Sequence, residues 1–191
     1  MSDSYLIDLA KRILSTVPDG LTKVRFAKIL YFTNKYLVQN GFVEQTKLGF
    51  IRMPLGPVPV GFKTMTDPEI SVEEVPMSTL SYDKQVYSLV SARAYSDDFQ
   101  AMIKKALESL LNLSTNQLVE FSHHEPSWLN HVNGAEYFLE EADLQIDLPN
   151  AHGEGIGGLD SQKLQAKLVE GMLDDIVADS TALEYPGYDG K

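Results

Sequence analysis

Apolar residues recur at helical spacing in two stretches near the start of the chain, separated by the break Pro18-Asp19-Gly20. Leu6, Leu9, Ile13 and Val17 predict a helix over 4–17, with Ser4 as its N-cap. Phe26, Ile29, Leu30, Thr33 and Leu37 predict a second helix over 22–40, with Gly41 just past its end. Ala27 and Tyr31 widen that stripe, so the second helix is expected to be buried over much of its circumference. The pattern then changes. Residues 48–52 read as a short strand, and Pro54, Gly56, Pro57 and Pro59 predict a turn followed by a short helix over roughly 58–66. Alternating residues rich in Val, Tyr and Ser over 69–76 and 83–94 predict a hairpin with its turn near Ser78 to Asp83. Ser96-Asp97-Asp98 is an N-terminal helix signal for the apolar face Phe99, Ile103, Ala106, Leu107 and Leu110. Ser114-Thr115 opens a further helix, which must stop before Pro126, and Trp128 to Glu141 holds another helical piece. Residues 145–158 are loop-like, and Leu164, Leu168, Met172, Leu173 and Ile176 predict a last amphipathic helix over 160–178.

These elements add up to an α+β, mainly α-helical fold. It has a helical core, a small antiparallel hairpin or sheet, and an acidic C-terminal helix. The expected organisation is a domain over 1–145, a glycine-rich linker over 146–159, and the acidic segment with a frayed end over 160–191. Hydrophobic residues make up 43% of the 191, enough for one core.

Charge sharpens the division. Residues 134–191 hold 13 of the 27 acidic side chains but only three of the 16 basic ones (Lys163, Lys167 and Lys191), so almost all of the net charge of -11 lies there. Nucleic-acid binding needs cations to displace phosphate counterions, and no basic patch is in view. With no cysteine, neither a disulfide framework nor a thiolate metal site can form, and a cytoplasmic setting is the natural one. The opening residues do not read as a secretory signal, and no run approaches the roughly 20 apolar residues of a membrane span.

Candidate chemistry is sparse. His123, His124 and Glu125 invite a metal or catalytic reading, with His131 seven residues beyond His124. A zinc protease helix needs two histidines four apart on one face, and Pro126 prevents that here. Gly153, Gly155 and Gly158 spell a G-x-G-x-x-G run, but the preceding residues do not form the buried strand that a dinucleotide site requires. No serine or threonine sits in a nucleophile-elbow setting. These residues therefore predict neither a cofactor nor a catalytic centre. The segment 160–179 has two readings. Its Leu/Met face beside Glu170, Asp174, Asp175 and Asp179 suits a partner with an apolar groove and a basic rim, or it folds back on its own domain with the acidic side in solvent.

Three stretches, in order, carry a family resemblance: Lys28-Ile-Leu-Tyr-Phe, then Leu55-Gly-Pro-Val, then Leu113-Ser-Thr with Leu118-Val-Glu-Phe-Ser-His-His-Glu-Pro-Ser-Trp. Together they resemble the Panacea domain of the SocA/GepA-like antitoxins over roughly residues 5–140, with Ser122 where that family usually has threonine. The resemblance implies a mainly helical α/β fold and an antitoxin that acts by direct contact with a protein toxin, without catalysis. It also permits an adaptor that delivers a client to an ATP-dependent protease, and an accessory protein of a phage or mobile element. A metal-dependent enzyme built on His123, His124 and His131 is the remaining alternative.

The motif residues read as scaffold. Leu30 and Tyr31 belong to the buried helix, and Gly56-Pro57-Val58 is expected to set a rigid turn that aims the following helix. Trp128 is expected to anchor the core, with His123 or His124 hydrogen-bonding across the break at Pro126. For toxin contact, the expected surface is the exposed face around Val60 to Met65, including Phe62, together with Leu164, Leu168, Met172, Asp174, Asp175 and Ile176.

Overall fold

A computed structural model describes residues 2–76 and 83–151. The predicted linker beyond Ala151, the glycine run, the acidic segment and most of the predicted turn near Ser78 to Asp83 lie outside the described residues.

The fold is built around one helix. α1 (Ser2–Leu14) leads through the two-residue β1 (Leu21–Thr22) into α2 (Lys23–Gln39). Every residue of α2 from Phe26 to Lys35 is buried, so neighbours surround it on all sides. Its end follows from sequence. Gly41 has φ 72, and the amides of Gly41 and Phe42 reach back to the carbonyls of Val38 and Leu37 at 3.0 and 2.9 Å. This is the paired closure that a left-handed glycine makes possible. Burying a helix that carries Lys28, Asn34 and Lys35 requires a partner for each polar head. Lys28 Nζ donates to Pro57 O at 2.7 Å, Tyr5 OH donates to Asn34 Oδ1 at 2.9 Å, and Lys35 Nζ meets Glu125.

β2 (Phe50–Met53) and β3 (Gly56–Pro59) form a tight antiparallel pair, and a single 3-10 turn follows at Phe62–Thr64. The helix expected over 58–66 is therefore replaced by the end of β3, a turn and the 3-10 turn. The prolines that suggested a helix start are accommodated because β3 is an edge strand, in the order β3-β2-β6. Val60 N donates to Gly49 O at 2.9 Å. Stepping back in twos puts Val58 and Gly56 at the positions that bond β2, and Pro57 and Pro59 between them. A missing N–H there costs no ladder bond. The outward-facing Pro57 carbonyl is the group that Lys28 binds.

β4 (Ile70–Pro76) and β5 (Asp83–Leu89) are the predicted hairpin strands, with β1 added on the far side of β5. Tyr87 of β5 lies 5.4 Å from the Phe26 ring and 5.5 Å from Phe62, so the 3-10 turn plugs an aromatic cluster against α2.

α3 (Asp98–Leu110) starts where predicted, with the Asp97 side chain accepting from Gln100 N, and Arg12 adds an ion pair to Asp97 at 2.9 Å. Ser114 and Gln117 form a reciprocal capping box on α4 (Thr115–Ser122). Ser114→Ala is expected to lower stability by about 0.5–2 kcal/mol. Urea unfolding with an unchanged slope would report that loss, whereas an unchanged midpoint would remove the cap's role. α5 (Pro126–Asn130) begins on Pro126, the N1 position where proline is tolerated. Its residues Trp128–Asn130 are the helical piece expected within Trp128 to Glu141; beyond them come β6 (Glu136–Tyr137), which joins β2, and α6 (Glu141–Leu144). The architecture is α+β, mainly helical, with two small antiparallel sheets that both pack on α2.

Candidate functional site

The three motif segments are far apart in sequence and meet at one buried polar centre. α2 supplies Lys28, Tyr31 and Lys35, which share a face because three and seven residues are close to one and two helical turns. The β2–β3 turn supplies Gly56, and the break between α4 and α5 supplies Ser122, Glu125 and Trp128.

Gly56 sits where these elements converge. Its φ is 97, and a Cβ placed on it would lie 2.1 Å from Ser122 Oγ and 3.0 Å from Lys28 Cε. Only glycine allows both that backbone conformation and that approach. Ser122 turns its hydroxyl back to its own helix, donating to Val119 O at 2.7 Å.

Glu125 is the hub. Its carboxylate accepts from Lys35 Nζ at 2.8 Å on both oxygens and from Tyr31 OH at 3.0 Å. Lys35 is 0% and Glu125 2% exposed, so this ion pair lies in the core. Burial pushes the Glu125 carboxyl up, against the opposing pull of Lys35 and of the Tyr31 hydrogen bond. The Tyr31 hydroxyl is raised well above its ordinary value, by burial first and by the nearby Glu125 charge second. Asp143 completes the centre. It is fully buried and accepts from Ser127 N at 3.0 Å and Glu140 N at 2.7 Å, which ties the start of α5 to α6.

Trp128 anchors the outer side. Its indole N–H donates to Met53 O at 3.0 Å, while Arg52 Nε returns a bond to Trp128 O at 2.9 Å. The Arg52 guanidinium lies 4.0 Å from the indole ring and the His123 ring stacks on it at 4.4 Å. The two connections cross from β2 to α5, so the tryptophan clamps the small sheet to the α4–α5 break.

The structure thus brings Tyr31, Gly56, Pro57, His123 and Trp128 around one centre. Leu30 is fully buried beside it, and Val58 is half-buried. Two expectations need correction. Gly56-Pro57-Val58 does not aim a helix; these residues are the strand β3. His123 stacks on Trp128, and His124 is exposed with Nδ1 paired to Glu120 O of its own helix at 2.9 Å. Glu125, at the break, reaches Lys35 and Tyr31 of α2. The face around Val60 also differs, because Phe62 is only 2% exposed and packs edge-on to Phe26. Its side chain is core rather than surface, while Val60 remains half-buried. Leu164, Leu168, Met172, Asp174, Asp175 and Ile176 lie outside the described residues.

His131 pairs through Nδ1 with Ser127 O at 2.7 Å and stacks on Tyr137. Among the described residues no three His, Cys, Asp or Glu side chains converge as metal ligands, and no helix is long and apolar enough to cross a membrane. The centre has a carboxylate, an ammonium and a phenol, all buried, with the carboxylate bonded to both of the others.

A family model for the antitoxin SocA-like Panacea domain matches residues 26–129, more than half of the chain. The chain belongs to this family. The matched span opens in α2 and closes in α5, so it contains Lys28, Tyr31, Lys35, Gly56, Ser122, Glu125 and Trp128. Asp143, α6 and β6 lie beyond it. No curated protein and no solved structure matches the chain. The Panacea segments are therefore the places where three distant parts of the chain are locked together. Lys28, Lys35, Arg52, Ser122 and Asp143 were not singled out as site residues from sequence. The i, i+3, i+7 spacing of Lys28, Tyr31 and Lys35 along an otherwise apolar helix was the available signal.

Proposed function

We propose that this chain is the antitoxin of a type II toxin–antitoxin pair and that it neutralises a cognate protein toxin by direct binding. Membership of the Panacea family over residues 26–129 is the observation that carries this reading. The sealed character of the Lys35–Glu125–Tyr31 centre supports it, since a rigid scaffold that lends its surface to a partner needs no open cleft. The acidic balance of residues 134–191 suits a toxin with a basic surface, where complementary charge speeds encounter and sharpens choice of partner. The contact surface in this reading is the exposed side of the chain near Val60, together with the segment 160–179. There Leu164, Leu168, Met172 and Ile176 would supply apolar anchors, and Asp174 and Asp175 an acidic flank.

The reading is tested by expressing the adjacent open reading frame under tight control, with and without this chain. Growth arrest relieved by the chain, with recovery of a stable complex, is the expected result. Disappearance of the partner without a lasting complex would instead assign a role as adaptor to an ATP-dependent protease. A harmless neighbour that does not bind would end the antitoxin reading. Truncation after Gly158 is expected to weaken neutralisation, and full neutralisation by the truncated chain would remove 160–179 from the contact surface.

A further inference from the structure

β4 closes one side of its sheet, in the order β1-β5-β4, and among the described residues no strand lies beyond it. Its pairing with β5 runs without a bulge from Ile70 opposite Leu89 to Pro76 opposite Asp83. The pair just before, Glu69 and Val90, is joined by a bond from Val90 N to Glu69 O at 2.9 Å. Bonded positions alternate along an antiparallel pair. Ser71, Glu73 and Val75 therefore bond β5, while Val72 and Glu74 turn both N–H and C=O to the outer edge. Two residues bound this open row. The Ile70 amide is taken by Asp67 O at 3.0 Å, and Pro76 has no N–H. Two donors and two acceptors in a line fit an extended peptide that adds a strand. The side chains along the same edge are exposed as well, Val72 at 46% and Val75 at 40%, with Glu73 and Glu74 between them.

We propose that an extended strand of the toxin pairs with this edge and presents basic residues opposite Glu73 and Glu74. The proposal rests on the toxin reading and adds a backbone contact to it. Successive side chains of a strand point to opposite faces, so the two glutamates mark both faces of the sheet. The complementary strand carries two adjacent Lys or Arg residues, flanked by apolar residues opposite Val72 and Val75. A second copy of this chain does not fit. In a two-fold pair the strands are antiparallel, and the register in which Val72 and Glu74 of both copies bond sets Glu73 against Glu73. Nor does the chain's own end. Residues 134–191 carry 13 acidic side chains against three basic ones, no two of which are adjacent. The glutamates thus keep like chains off an open edge while admitting a basic partner.

The probe is the product of the adjacent open reading frame, bound to the full chain, and the readout is amide hydrogen exchange by NMR. In the free chain the Val72 and Glu74 amides are expected to exchange fast, and those of Ser71 and Glu73 slowly. In the complex Val72 and Glu74 should slow at least about tenfold. Glu74→Pro removes one outward donor and no β4–β5 bond, so it should weaken the complex at least about tenfold while the β5 amides stay protected. Glu73→Lys with Glu74→Lys keeps every backbone group and should weaken the complex too, most at low salt. A complex in which Val72 and Glu74 exchange at the free rate would overturn this proposal alone, as would full affinity in either variant. Slow exchange of these two amides in the free chain would also overturn it. The edge would then be held by a second copy if the protection grows with concentration, and by the chain's own end if it does not. A neighbour that forms no complex would end the toxin reading and this proposal together.

Discussion

Lys35→Met is expected to destabilise the fold by about 3–5 kcal/mol near neutral pH, one of the two largest effects of any substitution considered for this chain. The side chain lost is 0% exposed and makes both oxygens of Glu125 its partners at 2.8 Å. Methionine fills much of the volume, so the loss is electrostatic: a buried carboxylate keeps only the Tyr31 hydroxyl among the bonds it had. The penalty should depend on pH with a definite sign. Burial already raises the Glu125 carboxyl in the folded chain, and removing the ammonium raises it further. A carboxyl whose folded value lies above its unfolded value contributes most to stability below the unfolded value, and that contribution is lost as pH rises through the folded one. The cost of Lys35→Met should therefore shrink on acidification and grow toward neutral pH. Adding Glu125→Leu should recover most of the stability, because an apolar pair of similar size replaces the ion pair. A remainder of about 1–3 kcal/mol is expected from the stranded Tyr31 hydroxyl, removable by Tyr31→Phe. Urea unfolding of the series over pH checks this. A double variant no more stable than Lys35→Met would show that the pair is not what the core depends on.

Gly56→Ala comes second, at about 2–6 kcal/mol, from backbone strain at positive φ together with overpacking. The overlap is with Ser122 Oγ at 2.1 Å and Lys28 Cε at 3.0 Å, and both neighbours are buried. Ser122→Ala removes the closest atom and leaves its Cβ at 3.1 Å, so the double variant should recover part of the loss and keep the part due to φ. An ordinary cost below about 1 kcal/mol for Gly56→Ala would mean the three segments are not packed this tightly.

How much of this could be read from sequence depends on the range of each interaction. Helix α2 and its glycine ending, the Asp97 and Ser114 caps, and the break at Pro126 are signalled within one or two helical turns, and these were legible. The β4–β5 hairpin was also legible, from two seven-residue stretches that carry Val, Tyr and Ser on either side of a turn signal. β6 is two residues long and carries no periodicity. Pro57 and Pro59 suit a helix start and an edge strand equally well, and only the pairing with Phe50 to Met53 decides between them. Phe62 reads the same in sequence whether it faces solvent or the rings of Phe26 and Tyr87.

The sequence by itself determined the fold class, the family, the charge division of the chain and the residues that carry the motifs. It left open why those motifs matter. Lys35 and Glu125 are 90 residues apart, as Arg25 is 88 residues from the Leu113 carbonyl it binds just before α4. Trp128 and Met53 are separated by 75. Local propensity carries no information about such pairs, because each residue's own preference is satisfied equally well by water. The tertiary structure alone decided that a lysine in an apolar helix would be buried, by placing a carboxylate within hydrogen-bond reach of it.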